Sequence, residues 1–277
     1  MNTPPLHLAV DREGLALITI SGSGSGNALG GAFWEDLSHV LEDVSRRDSI
    51  RSVALTGAGD IFSVGMDLRW YLIRLRRAQR SQDPAFMDTD IHSLQQAVSA
   101  VADCPKPVIA LIDGECTGAA LELVSACDIR YATGRATFAL PEAELGVVAD
   151  LGGLQRLPLL INQGHLRELA FTGRTIDAAR AARIGLVNDL YEDRTALLHA
   201  ARQLNAELSR HPAHVMEGIK RTLDGVHQDA HNHGLDQAAR WNSTHSGPDA
   251  LTQAMAARLS SHTRAPDQAQ ARPVPTP

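Results

Sequence analysis

The ten residues from Gly118 to Cys127, G-A-A-L-E-L-V-S-A-C, read as a buried helix, small and apolar on every side, with Glu122 in the middle. Between Glu115 and Asp128 it is the only charge. An ionised carboxylate in such a helix costs several kcal/mol unless it is compensated or its pKa rises. Glu142 and Asp150 follow in a second, largely apolar stretch. Three acids in apolar company form a candidate site.

The chain around them alternates short strands with helices. Leu6–Val10 and Leu15–Ile20 alternate apolar and polar residues about Asp11–Gly14, which predicts a β-hairpin. The run S-G-S-G-S-G-N-A-L-G at 21–30 does not match G-x-G-x-x-G and leads to no Gly-Lys-Ser/Thr, so it reads as a flexible connection. Residues 32–46 place Phe33, Trp34, Leu37, Val40, Leu41 and Val44 on one helical face. Ser52–Leu55 and Val108–Ile112 read as buried strands, with F-S-V-G-M-D-L at 62–68 as a strand end running into a glycine turn. Residues 69–82 read as an arginine-rich surface helix, with a lid whose arginines face an anionic ligand as the alternative; Ile91, Leu94, Val98 and Val101 mark another helix. Strands follow at Asp128–Ala132 and Thr137–Ala139, and beyond Pro158 every segment reads as helix. The expected layout is an α/β core over 1–195, a helical region over 196–261 and a disordered, proline-rich tail over 262–277. Short strands interleaved with helices suggest coiled ββα units more than a Rossmann sheet.

Composition narrows the function. A net charge of −6 argues against a general nucleic-acid binder, and 4% aromatic residues provide few stacking surfaces. Cys104, Cys116 and Cys127 lack metal-ligand spacing and read as reduced, packed thiols. No signal-peptide pattern opens the sequence and no apolar run reaches the roughly 20 residues of a membrane helix. A soluble, cytoplasmic protein without metal is expected. His227 and His231, four residues apart, have no accompanying carboxylate–His motif and read as solvated surface histidines.

The chemistry starts from the turn into the Glu122 helix. Gly118, Ala119 and Ala120 are small enough to leave backbone N–H groups accessible at a helix start. Gly65 and Met66 offer a second such turn. Two N–H groups converging on one oxygen would form an oxyanion hole that stabilises a carbonyl becoming an enolate, each donor worth roughly 3–4 kcal/mol in the transition state. Glu122 would lie one turn away. With Glu142 and Asp150 as partners, carboxyls whose pKa values are pushed apart can take a proton at one carbon and return one at another.

Several motifs carry a resemblance: N-A-L at 27–29, L-T-G-A-G-D-I-F-S-V-G-M-D-L at 55–68 and C-P-K-P-V-I-A-L-I-D-G at 104–114. G-A-A-L-E-L-V-S-A-C-D-I-R-Y-A at 118–132 and L-G-V-V-A-D-L-G-G-L-Q-R-L-P at 145–158 complete them. From Leu6 to about Leu259 the chain resembles the crotonase, or enoyl-CoA hydratase/isomerase, superfamily. The resemblance implies a spiral of ββα turns, a C-terminal helical region that trimerises, often as a dimer of trimers, and an acyl-CoA substrate whose coenzyme A replaces any separate cofactor. It implies oxyanion-hole N–H groups at Met66 and Ala119, in the substrate-binding turns of Gly65 and Gly118. Val64 would meet the adenine, and Arg69 the adenine or its phosphates.

Glu122 and Glu142 stand at the two glutamate positions of the hydratases, and Asp150 is an additional acid. The 147–158 run, S-A-C-D-I-R-Y and A-R-W-N-S at 239–243 are similar to the dienoyl-CoA isomerases, which shift a 3,5-diene to a 2,4-diene. That likeness implies Glu142 and Asp150 as the proton-shuttling pair. Two features depart from it: the isomerases usually carry Asp where this chain has Glu122, and the Ser-Gly run replaces a basic, Pro-containing segment that helps hold CoA. Arg69, Arg74 or a neighbouring subunit would then meet the phosphates. Hydration of a 2-enoyl-CoA, with water held between Glu122 and Glu142, is the rival activity. Acyl-CoA binding without catalysis is the third reading, and the three retained acids argue against it.

Overall fold

A computed structural model describes residues 4–24, 26–81 and 85–262, with side chains through 257. The expected disordered tail lies outside the described residues, apart from His262, which ends the last helix. Strands β1 (Leu6–Val10) and β2 (Leu15–Ile20) form the predicted hairpin, with Leu6 opposite Ile20 and Val10 opposite Ala16. Helix α1 (Gly31–Arg46) buries Phe33, Trp34, Leu37, Leu41 and Val44, a spacing that holds one face toward the core. Strand β3 (Ser52–Gly57), helices α2 (Leu68–Ser81) and α3 (Ala85–Asp103), and strand β4 (Val108–Ile112) follow. Next come β5 (Glu115–Thr117), α4 (Ala119–Ser125), β6 (Ile129–Thr133) and β7 (Thr137–Ala139).

A 3-10 turn at Glu142–Leu145 leads to the one-turn helix α5 (Gly153–Arg156) and then α6 (Gln163–Thr172). Two-residue β8 (Ile176–Asp177), α7 (Ala178–Arg183), β9 (Asp189–Tyr191) and α8 (Arg194–Leu208) come next. The chain ends in α9 (Ala213–Gly225), α10 (Gln228–His245) and α11 (Pro248–His262).

The large sheet has the order β1-β2-β3-β4-β6-β9; apart from the β1–β2 hairpin, its neighbours are parallel. Strands β3 and β4 are buried along their whole length, as parallel strands covered on both faces must be. On one face lie α1, α3 and α4; on the other, Ala201 of α8 packs with Leu15, Ala54, Ile109 and Leu111. Each of two strand pairs divides between sheets: β4 and β6 join the large one, while β5 and β7 join a small sheet with β8. The result is a mixed α/β fold, not a single open sheet.

Three expectations needed correction. Residues 115–117, 176–177 and 189–191 are strands that alternation did not reveal, because pairing partners remote in sequence select such short segments. The 62–68 segment is no regular strand; it makes single bridges, Ser63 with Cys116 and Met66 with Leu29. The Ser-Gly run is an ordered turn over its described residues. Ser23 and Ala28 exchange backbone hydrogen bonds at 3.0 and 3.1 Å, and Ser23 Oγ donates to Asp67 Oδ2 at 2.6 Å.

A buried polar pair ties α8 to the hairpin. Ser52 Oγ donates to Asn205 Oδ1 at 2.7 Å, and Asn205 Nδ2 donates to the Glu13 carbonyl at 2.9 Å. Removing Asn205 leaves both partners unsatisfied in the interior. Asn205→Ala is therefore expected to lower unfolding free energy by roughly 1–3 kcal/mol, read from urea denaturation.

Candidate active site

A cavity of about 720 Å³ opens at the ends of β5 and the 62–69 segment, beside the start of α4. Its wall holds Val64, Met66, Arg69, Gly118, Ala119, Glu122, Glu142 and Asp150. Gly65, the remaining residue expected at the site, is not on that wall. It stands behind, at φ +87°, where an added Cβ would come within 2.4 Å of the Thr117 carbonyl and 3.2 Å of the Ala119 nitrogen. Only glycine permits so close an approach.

That approach sets the two turns side by side. Ser63 N–H donates to Glu115 O at 2.9 Å, and Thr117 N–H donates to Ser63 O at 3.1 Å. Asn27 steadies the outer turn: its Nδ2 donates to the carbonyls of Ala58 at 2.8 Å and Ile61 at 3.0 Å. Among the described residues, neither the Met66 nor the Ala119 N–H is used in a hydrogen bond. Two unused amide donors at the wall of one cavity can stabilise an oxygen on which charge develops.

Helix α4 positions Glu122 with 2% of its surface exposed. Its Oε2 accepts from the backbone N–H of Leu151 at 2.9 Å and of Gly153 at 2.8 Å. Burial, then the nearby Glu142 and Asp150, push its pKa well above the usual carboxylate range, and the two amides oppose them. Half-buried Glu142 opens the 3-10 turn, with Oε1 against Gly118, where an added Cβ would stand at 3.0 Å.

Asp150 keeps part of its surface open to the cavity while protein packs closely around its carboxyl. Burial raises its pKa from 3.8 to about 6, against the opposing bond to its Oδ2 from Asn242 Nδ2 at 2.6 Å. Gln95 Nε2 donates to the Asp150 carbonyl at 2.8 Å. The three acids are therefore brought together.

Asn242 and Gln95 were assigned no role on sequence grounds. Asn242 lies within the A-R-W-N-S motif, and its signal was an amide side chain inside a helix, where asparagine is unfavourable. Gln95, on an otherwise apolar face of α3, left no comparable mark. Tyr71 from α2 also faces the cavity, and burial followed by Asp150 raises its phenol pKa.

The arginines divide. Arg69 is exposed at the cavity wall, but Arg74 is engaged elsewhere. Its Nε donates to buried Asp90 at 2.6 Å and its guanidinium lies over the Trp70 ring at 4.7 Å. Asp67 caps α2: burial would raise its pKa, but bonds from Ser23, Trp70 and Arg69 outweigh that and lower it. His231 is not solvated as expected. It is half-buried, and desolvation, then Arg156, lower its pKa to about 4. Among the described residues no three His, Cys, Asp or Glu side chains are grouped to hold a metal. The three cysteines are buried.

Two consequences are measurable. Gly65→Ala should cost about 2 kcal/mol or more in urea unfolding, from backbone strain and the contact with Thr117. Asp150 contributes to pH dependence because its folded pKa is raised. Between about pH 4 and 6 the folded state holds the proton more tightly, so this contribution to stability falls as pH rises through that window. Asp150→Asn should be more stable than the parent above about pH 6, by roughly 1–3 kcal/mol, with the gap closing below about pH 4.

Comparison with known proteins agrees with this architecture. Residues 11–257 match the family model described as enoyl-CoA hydratase/isomerase. The Mus musculus protein named Delta(3,5)-Delta(2,4)-dienoyl-CoA isomerase, mitochondrial, is 38% identical over 222 residues, covering 78% of this chain and 67% of that one. The Arabidopsis thaliana protein of that name, peroxisomal, is 31% identical, covering 84% of this chain and 85% of that one. The crystal structure of an enoyl-CoA hydratase from Bacillus halodurans superposes with a TM-score of 0.82 at 23% identity, over 91% of this chain and 99% of that one, which shows the shared fold. The chain belongs to the enoyl-CoA hydratase/isomerase family of enzymes.

Proposed function

We propose that this enzyme moves the double bonds of a dienoyl-CoA thioester from the 3,5 to the 2,4 positions. The observation that carries the reading is Asp150. Its carboxyl stands on the cavity wall with Glu122 and Glu142, and its pKa of about 6 lets it hold or release a proton near neutrality. The similarity to proteins named dienoyl-CoA isomerases supports it.

The Met66 and Ala119 N–H groups bind the thioester oxygen. One carboxyl of the Glu142–Asp150 pair takes the proton from C2, giving a trienolate, conjugated through C6 and stabilised at that oxygen. The other carboxyl delivers a proton to C6. One proton leaves and one arrives, so neither water nor a separate cofactor is consumed. Glu122, engaged by two backbone amides, orients the segment that carries Asp150. Gly65 and Gly118 shape the turns that present the amides, while Val64 meets the adenine and Arg69 the CoA phosphates.

The helical region 196–261 is proposed to assemble the enzyme as a homotrimer or dimer of trimers. Val215, Ile219, Leu223 and Val226 support this: at helical spacing on and just past α9, they stand 40%, 51%, 67% and 70% exposed. Among the described residues no helix is long and apolar enough to cross a membrane. The relatives' names place those proteins in mitochondria or peroxisomes, so the compartment is better read by locating the tagged protein than from the cytoplasmic expectation.

Incubation with a 3,5-dienoyl-CoA should yield the conjugated 2,4-dienoyl product, followed by its ultraviolet absorbance. Hydration of crotonyl-CoA without any diene shift would sink the reading in favour of a hydratase. Asp150→Asn should reduce isomerisation by roughly 10²–10⁴-fold while sparing any hydration; equal loss of both would contradict the assigned roles.

A further inference from the structure

We infer that Asn242 is a positioning residue for Asp150, selecting which carboxylate oxygen is tied to the protein and which serves proton transfer. The inference rests on the double-bond-shift reading above. Asn242 projects from α10 and is 2% exposed. Its side-chain amide pairs with the backbone of Val148 as a neighbouring strand would: Val148 N–H donates to Oδ1 at 3.0 Å, and Nδ2 donates to Val148 O at 2.7 Å. Turning the amide over would set N–H against N–H and oxygen against oxygen, so the pairing fixes its orientation. Ser246 Oγ also donates to Oδ1, at 3.1 Å. The second Nδ2 proton is thereby aimed at Asp150 Oδ2, 2.6 Å away. Both donors and both acceptor positions of the amide are used.

A carboxylate held by one oxygen against a fixed donor cannot rotate freely, and Oδ1 is the oxygen Asn242 leaves for exchange with substrate. The donor also favours the charged form. Burial acts in the opposite sense. Tyr71 from α2, Glu122 from α4 and Glu142 from the 3-10 turn share the cavity wall, and Asp150 raises the pKa of Tyr71 and Glu122. Asn242 is thus the side chain from α10 that opposes the effect of burial on this acid.

The test uses full-length protein labelled with ¹³C-aspartate. The Asp150 carboxyl is assigned as the infrared band lost in Asp150→Asn, and its ionisation midpoint is compared in parent, Asn242→Ala and Asn242→Asp. Both Asn242 variants should move the midpoint up by roughly one pH unit or more. The kcat for diene isomerisation should fall about tenfold or more with KM within about twofold, as loss of a positioned hydrogen bond predicts. Asn205→Ala, a buried asparagine remote from the cavity, should lose stability while leaving midpoint and kcat unchanged. An unmoved midpoint, or a moved midpoint with unchanged kcat, overturns the inference. Should one variant not fold, the other decides alone. If the parent protein shifts no diene, the functional reading falls and the infrared midpoint alone decides whether Asn242 governs Asp150.

Discussion

The site depends on one buried interaction: the Glu122 carboxylate accepting the backbone N–H groups of Leu151 and Gly153. Through it, α4 in the core fixes a loop that carries Asp150 and begins α5. Gly153 has to be glycine-small for this, since an added Cβ would stand 2.7 Å from Glu122 Cγ. Nearby Arg156 donates to the Leu151 carbonyl at 3.3 Å. Burial lowers the Arg156 pKa, while attraction to Glu122 works the other way. A carboxylate in an apolar helix is tolerable because these groups replace part of the water it lost.

The loop at 148–153 is held from several directions. Asn242 of α10 takes both backbone groups of Val148, Gln95 of α3 takes the Asp150 carbonyl, and Glu122 of α4 takes the next amides. Three helices thus converge on six residues that have little regular structure of their own. Such a loop can place an acid as accurately as a helix would, because its polar groups are engaged by side chains on rigid elements. The opposite wall is built differently: Gly65 lets two turns approach closely, leaving two amides available to a ligand oxygen.

Asp150 differs from Glu122 in what it is free to do. Glu122 is nearly sealed and spends one oxygen on backbone amides, which suits a positioning role. Asp150 opens partly to the cavity, with its pKa brought up to about 6. Two neighbouring carboxyls with unlike surroundings are the arrangement in which one can hold a proton while another has given it up.

The sequence by itself determined much of this protein. The hairpin, the buried strands read at 52–55 and 108–112, and the amphipathic α1 were legible because apolar spacing encodes which face is covered. The acids at 122, 142 and 150 stood out because charge is costly in apolar surroundings. What only the tertiary structure decided is where groups separated by many residues meet. The strands at 115–117, 176–177 and 189–191 are too short to show a period and exist through their partners. Asn27, Gln95 and Asn242 look like ordinary amides in the chain, and Arg74 like a free cation. Their roles come from hydrogen bonds to backbone or to Asp90 across the fold, and the strength of such bonds depends on burial that no local pattern records.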